Sequence, residues 1–426
     1  FASATTVPEN FIRLEVEPFE PGYENIPYNE RFQWILSHEL VHIVVDDQAS
    51  DAEKIARNIF SKVSPEKSQP LTILYSLFTN YSRYTPRWHQ EGIAVFMETW
   101  LNGGYGRELG NFDEMYFRSL VLRKEKFPTY NELDAKTSLT SFLLGTLYYI
   151  YGARFCAYLS IKYGVNKLID WYKVEPDDFY KSFIYKFKEI YGISLTDAWE
   201  DFIKFEKKFQ EKNIKRIEKA PITPIHKLTK GPLGWVTKAY YDPSDTSMIF
   251  GFNRPNHLAQ IAKLKLTDSS IKKIGTLPTP NMFQVASTAF DKSLGLFFYT
   301  TKNNELYRDL SVLQTSTGDT KMLFENSRVG GITVSQTNHE IWGILHSDAK
   351  ATLVYSAYPY RFLEPVIGFN IGDNIFELSL SPAGHKLAAV LHRTNGSQSI
   401  IVANADSLRA GKNFKFVTIT SKGNPE

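Results

Sequence analysis

The sequence predicts an α+β chain of two parts: a mainly helical domain with a small sheet, followed by an all-β propeller that is incomplete. Three observations carry this. Apolar segments with helical spacing dominate up to about residue 218. Ala220-Pro221-Ile222-Thr223-Pro224 then reads as a linker, and the composition changes after it to short β-like runs between turn residues. In that second half, four turn-plus-strand segments recur with a period in the forties, as propeller blades do. The expected boundaries are 1–219 for the helical domain, 220–234 for the linker and 235–426 for about four blades.

Composition narrows the classes. The chain has 426 residues, 43% hydrophobic and 22% charged, which is ordinary for folded globular domains. A net charge of +3 with no basic block excludes a nucleic-acid footprint, so no nucleic-acid partner is expected. Cys156 is the one cysteine, so no intrachain disulfide can form. The longest apolar run, 141–164, has Arg154 near its centre and many tyrosines. That reads as a buried helix and not a membrane span. The chain opens on Phe1 and not Met, so a processed or trimmed product is expected, with any signal peptide upstream.

The elements follow in order. Apolar/polar alternation from Ile12 to Glu17 predicts a half-buried strand, and Pro18, Pro21, Gly22 and Pro27 break the chain after it. A helix over about 29–46 carries apolar residues nearly all round, which predicts a core helix. Ser50-Asp51-Ala52-Glu53 is a capping-box pattern opening a helix to about Val63. Residues 64–85 look less regular. Thr85-Pro86 opens the next helix, with Thr as N-cap, and Asn102-Gly103-Gly104 stops it. Further helices are predicted near 112–124, 141–163, 177–191 and 195–218, with Gly164 and Gly192 as stops. The strands of the four repeats start at Met248, Leu296, Ile341 and Leu387, which are 48, 45 and 46 residues apart.

The core helix holds Ser37-His38-Glu39-Leu40-Val41-His42, an H-E-x-x-H motif. Residues four apart share a helix face, so His38 and His42 can point at one metal ion. Glu39 sits beside them, placed to hold the water that the metal activates. Zinc suits this set, since catalytic zinc takes three protein ligands and keeps one position open. Two histidines in a buried helix satisfied by ordinary hydrogen bonds would be the plain alternative. Burying His, Glu and His together is costly without partners, and a metal serves all three. A third ligand must come from elsewhere in the chain. Glu91 is one candidate and His89 its rival; two residues apart on a helix, they point to nearly opposite faces. Glu98 returns to the Glu91 face, as an orienting group or a solvated acid. Asp46, one turn after His42, is either a partner for a ligand imidazole or a helix-end acid.

Three ordered motifs carry a family resemblance over about residues 1–210. After H-E-x-x-H come Pro86, Trp88, Glu91, Gly92, Ala94 and Glu98, then Tyr149, Gly152, Phe155, Tyr158, Leu159, Tyr163 and Gly164. In this the chain resembles the gluzincin metallopeptidases, more closely the peptidase-MA-like group. The resemblance implies a zincin-type fold, a Zn2+ cofactor with Glu91 as third ligand, and Gly92 for close helix packing. It implies Glu39 as general base and a tyrosine donor to the oxyanion, first Tyr149 and next Tyr148, with a packing role for either left open. It also implies that the strand Ile12–Glu17 aligns an extended peptide or protein substrate. One departure stands out: some gluzincins place an Asp one turn after the glutamate ligand, and here Val95 holds that place.

In the second half, Ser381-Pro382-Ala383-Gly384-His385-Lys386-Leu387-Ala388 resembles the turn-strand of TolB-like propeller repeats, over roughly 235–420. TolB-like repeats usually form larger rings than four blades, hence the expectation of an open arc. The expected activity is zinc-dependent hydrolysis of peptide bonds outside the cytoplasm, in the periplasm or cell envelope. The rival reading is a non-catalytic binding or scaffold protein of the envelope, using the propeller as the recognition surface for a protein partner.

Overall fold

A computed structural model describes residues 2–14, 31–104, 106–109, 111–134, 144–221, 223–254, 257–277, 287–303, 305, 307–348, 350–393, 397–411 and 415–420. The described residues form two compact units that divide between Thr223 and Pro224. A helical region is followed by a four-bladed β-propeller arrangement.

The helical unit opens with β1 (Ala2–Thr5) and β2 (Phe11–Leu14), an antiparallel pair. The predicted continuation of β2 over 15–17 lies outside the described residues. Ten helices follow among the described residues: α1 (Arg31–Asp46), α2 (Asp51–Phe60), α3 (Leu71–Thr79), α4 (Arg87–Leu101), α5 (Asn111–Arg123), α6 (Tyr130–Asp134), α7 (Leu144–Tyr163), α8 (Val165–Tyr172), α9 (Phe183–Tyr191) and α10 (Leu195–Ile217). Three of them, α3, α6 and α8, fall where no helix was expected.

Local chemistry sets several boundaries. Ser50 and Glu53 close the expected capping box: the Glu53 amide donates to Ser50 Oγ, and the Ser50 amide to Glu53 Oε2. The start of α4 differs from expectation. Pro86 is the N-cap, its carbonyl accepting from the His89 and Gln90 amides, while the Thr85 hydroxyl bonds His89 Nδ1. Gly192 ends α9 in the left-handed conformation, where a Cβ would be strained. Helix α1 also corrects the expectation of burial all round. Trp34, His38, Glu39 and Val41 face inward, while Leu36, Leu40 and Val44 are exposed.

Helices α4 and α7 cross at two glycines. A Cβ on Gly92 would lie 2.5 Å from the Gly152 carbonyl carbon, and one on Gly152 would lie 2.1 Å from the Trp88 oxygen. Only hydrogen fits there, as the motif implied for Gly92. Behind the crossing lies an aromatic core built on Trp88, Phe155, Trp171, Trp199 and Phe202, with Trp88 and Trp199 centroids 5.2 Å apart. The apolar run over 141–164 is thus a core helix where described, with Ile150, Tyr151, Phe155 and Leu159 fully buried. No helix among the described residues is long and apolar enough to cross a membrane.

The second unit is four antiparallel sheets. The first holds β3 (Trp235–Val236), β4 (Tyr240–Asp242), β5 (Ser247–Asn253), β6 (Gln260–Lys265) and β7 (Ile271–Thr276). The second is β8 (Thr288–Asp291), β9 (Leu296–Lys302), β10 (Arg308–Gln314) and β11 (Thr320–Phe324). The third is β12 (Val329–Val334), β13 (Ile341–Ser347), β14 (Lys350–Ser356) and β15 (Glu364–Gly368). The fourth is β16 (Asn374–Leu380), β17 (Lys386–His392), β18 (Gln398–Asn404) and β19 (Val417–Thr418), with α11 (Ala405–Arg409) between the last two. The four periodic strands of the sequence are β5, β9, β13 and β17, which hold the same place in each sheet. Successive blades meet through their first strands, β8 on β12 and β12 on β16. Turn residues stitch them: Gln336 Nε2 donates to the Phe290 carbonyl, and Thr337 Oγ1 to the Ala383 carbonyl.

Candidate metal centre

Helix α1 packs across α4, and this brings three predicted side chains to one point. His38 Nε2 lies 3.2 Å from Glu91 Oε2, His42 Nε2 lies 3.1 Å from the same oxygen, and the two Nε2 atoms are 3.1 Å apart. His38, His42 and Glu91 form the only metal-competent trio of His, Cys, Asp or Glu among the described residues. The helical spacing of the histidines puts them on one face, with the rings edge to face at 4.8 Å. Glu91 reaches them because the crossing at Gly92 fixes the rotation of α4.

The triangle fits a zinc ion. Ligand bonds of about 2.0–2.1 Å in a tetrahedron set donors roughly 3.3 Å apart. Three electron-rich atoms face one another here, and only a cation or a shared proton makes that favourable. Burial works to raise the Glu91 carboxyl pKa, but the hydrogen bonds and charges of His38 and His42 outweigh it and hold it far below the usual range.

A second set of side chains fixes His38 from behind. His38 Nδ1 lies 2.9 Å from Glu98 Oε2, on the ring side away from the trio. The same Nδ1 also lies 2.9 Å from Arg107 Nη2, which can only donate; with an ion held at Nε2, Nδ1 would carry the proton and donate to the Glu98 carboxylate. Glu98 is fully buried and clamped by Arg107, whose Nη2 and Nε donate to its two oxygens at 2.8 and 2.9 Å and whose amide donates at 3.1 Å. Burial would raise the Glu98 pKa; Arg107 outweighs it and keeps the carboxylate charged. The guanidinium sits 4.9 Å from the Trp34 ring centre and 5.3 Å from that of Tyr149. Glu98 is therefore the orienting group, of the two roles open in the sequence. Arg107 had no signal in the sequence, because it approaches Glu98 through a tight 3-10 turn at 107–109 nine residues on.

The other candidates separate. Glu39 is buried at 6% exposure, and no hydrogen bond reaches its carboxylate among the described residues; burial pushes its pKa up. Asp46 makes no hydrogen bond to His42; its Oδ1 is buried without a partner, and burial pushes its pKa to about 6. His89 lies apart from the trio, stacked on Tyr172 at 4.1 Å and against Trp171 at 4.6 Å, and burial depresses its pKa to about 3. The Tyr149 ring lies 6.2 Å from the His38 ring, and Tyr148 sits next to it at 4.7 Å. Arg87 lies over Tyr148.

No family model matches this sequence, and no curated protein matches it. Among solved structures, the chain is similar to TolB from Acinetobacter baumannii at 10% identity over 44% of this chain and 44% of that one, with a TM-score of 0.36. It is similar to an oligogalacturonate lyase from Vibrio parahaemolyticus at 12% identity over 45% and 56%, with a TM-score of 0.36. A third is the β-propeller domain of the Trilobed protease from Pyrococcus furiosus, at 8% identity over 46% and 59%, with a TM-score of 0.30. Each likeness spans less than two thirds of the other protein. The matched share of this chain is about that of its four blades, and at these scores the likenesses do not bear on activity.

Proposed function

We propose that the helical unit is a zinc-dependent peptidase and that the propeller is a surface for a protein partner. The supporting observation is the His38–His42–Glu91 triangle with an unbonded, buried Glu39 carboxylate beside it. In this reading the two Nε2 atoms and a Glu91 oxygen hold the ion. When bound, zinc supplies a Lewis acid and makes a water acidic enough to attack at neutral pH. Glu39 takes the proton of the attacking water on its carboxylate and passes it to the leaving amine. Tyr149, beside His38, donates to the oxygen that gains charge on the substrate carbonyl. Glu98 and Arg107 keep His38 Nε2 aimed at the ion. An extended peptide adds to β2, whose only partner among the described residues is β1.

The second reading is a non-catalytic binding or scaffold protein of the cell envelope, and the four blades favour it. Propellers commonly serve as recognition surfaces, and the likenesses to solved structures match the propeller's share of the chain. Both readings take the protein as extracytoplasmic, on the resemblance of its repeats to TolB-like ones.

One experiment separates them: metal analysis and peptide-library cleavage by wild type, Glu39→Gln, Glu91→Ala and His89→Ala. The peptidase reading expects one zinc per chain, a Glu39→Gln protein that keeps zinc without cleaving, and zinc lost to chelator sooner from Glu91→Ala than from His89→Ala. Full cleavage by Glu39→Gln sinks the mechanism. Zinc-loaded wild type that cleaves no peptide leaves the scaffold reading standing.

A further inference from the structure

We infer that the outer face of α3 is a self-association surface through which two copies of this chain pair. The helix is built inside out. Its small polar residues Ser76 and Thr79 are fully buried, while Leu71, Leu74, Tyr75 and Phe78 are 64%, 51%, 36% and 47% exposed. Those four stand at helical spacing 3, 4 and 7, so they form one outward stripe.

The stripe is not a loosely placed helix. Polar bonds on the inner side fix its rotation: Arg57 Nε donates to the Thr79 carbonyl at 2.6 Å, and Tyr84 Oη to Ser76 Oγ at 2.7 Å. Rolling the apolar stripe inward would break both. The patch takes in residues from outside the helix. Phe60 of α2 stacks on Tyr75 at 4.9 Å. Tyr180 meets Phe78 at 5.9 Å and carries Phe179, itself 76% exposed, into the same surface.

Area and charge point to the occupant. Phe60, Phe179 and the four stripe residues, at roughly 200 Å² each when free, leave about 650 Å² of apolar side chain in water. The largest patch on a typical monomer is about 300–600 Å². Two such faces together would bury about 1,300 Å², within the range of stable specific interfaces. No residue of α3 is charged, so the face meets its own copy across a two-fold axis without opposing like charges. A membrane-binding face would need free cations around it. Here Lys54 is paired with Asp51, Lys62 with Asp47, and Lys181 with Asp178 and Glu189; Lys67, four residues before Leu71, is exposed and in no ion pair among the described residues, and one such charge falls short of a cation-rich face. Four of the six side chains are aromatic, the residue type enriched at protein interfaces.

The test is sedimentation of the whole chain over a micromolar concentration series. Wild type should sediment as a dimer, and the Leu74→Glu/Phe78→Glu double variant as a monomer with unchanged far-UV circular dichroism. Should the double variant misfold, Leu71→Lys replaces the most exposed stripe residue and should raise the dimer dissociation constant at least tenfold. A monomeric wild type, or variants that dimerise like wild type, overturns the inference. Wild type that stays monomeric but co-sediments with phosphatidylglycerol vesicles overturns it in favour of a lipid surface.

Discussion

Replacing Gly152 by Ala tests the frame that holds the candidate metal centre. The new Cβ would stand 2.1 Å from the Trp88 carbonyl oxygen and 2.7 Å from Gly92 Cα. Both are backbone atoms, so no side chain can swing away. Reaching ordinary contact requires α4 and α7 to part by about 1 Å. Overpacking of this kind costs about 3 kcal/mol, the upper end for one added methyl group. In a unit of this size that is a fall in Tm of about 6–12 °C. The displacement also reaches the site, since Glu91 adjoins Gly92 on α4 and Tyr149 is one turn before Gly152 on α7. Metal-ligand distances tolerate only about 0.2 Å. Zinc affinity, read by chelator competition, should therefore fall along with Tm. A Gly152→Ala protein that melts within about 1 °C of wild type and holds zinc as tightly would refute the rigid crossing.

Three further outcomes are expected. Arg107→Met removes the clamp on buried Glu98 and should weaken zinc binding by about 10–100-fold; chelator competition that gives the wild-type value would make Arg107 merely structural. Tyr149→Phe should lower kcat more than it changes KM, since in the proposed mechanism its hydroxyl acts on charge that develops only in the transition state; an unchanged kcat returns it to packing. Burial raises the Glu108 pKa to about 7 from 4.5, and neither carboxylate oxygen has a hydrogen bond. Below the unfolded value both states are protonated and there is no penalty; stability falls as pH rises through the window between the two values, and the loss, about 3 kcal/mol, is complete above 7. Glu108→Gln should therefore raise Tm at pH 8 and change it little at pH 4; equal effects at both would show that Glu108 ionises freely in the folded chain.

Much of this molecule could be read from the sequence because its signals are local. The strand starts near Met248, Leu296, Ile341 and Leu387 repeat at a fixed interval because each blade is one supersecondary unit. H-E-x-x-H needs only one helix to bring its histidines together. The failures have physical causes too. Helix α3 escaped because its apolar stripe faces water and its N-cap, Pro70, offers no side-chain hydrogen bond. Whether Glu98 or Asp46 meets a histidine of the trio is a tertiary fact: Glu98 reaches His38 from α4, while Asp46 ends α1 itself. Both sit at helical spacing from a ligand; one bonds His38, and the other bonds neither histidine.

His89 has a bearing on how the protein would behave with and without the proposed metal. It stands two residues before Glu91, on the far side of α4. There it is wedged between Trp171 and Tyr172, with its carbonyl accepting from the Tyr172 hydroxyl at 2.8 Å. Aromatic packing thus sets the helix in register whether or not an ion is bound. The donors are pre-aimed, so the ion would do little of the ordering that zinc does in a zinc finger. On the proposed peptidase reading, chelation should silence cleavage while leaving the helical circular dichroism below the transition unchanged; Tm should fall only by the lost binding energy, and adding zinc back should restore activity without a refolding lag.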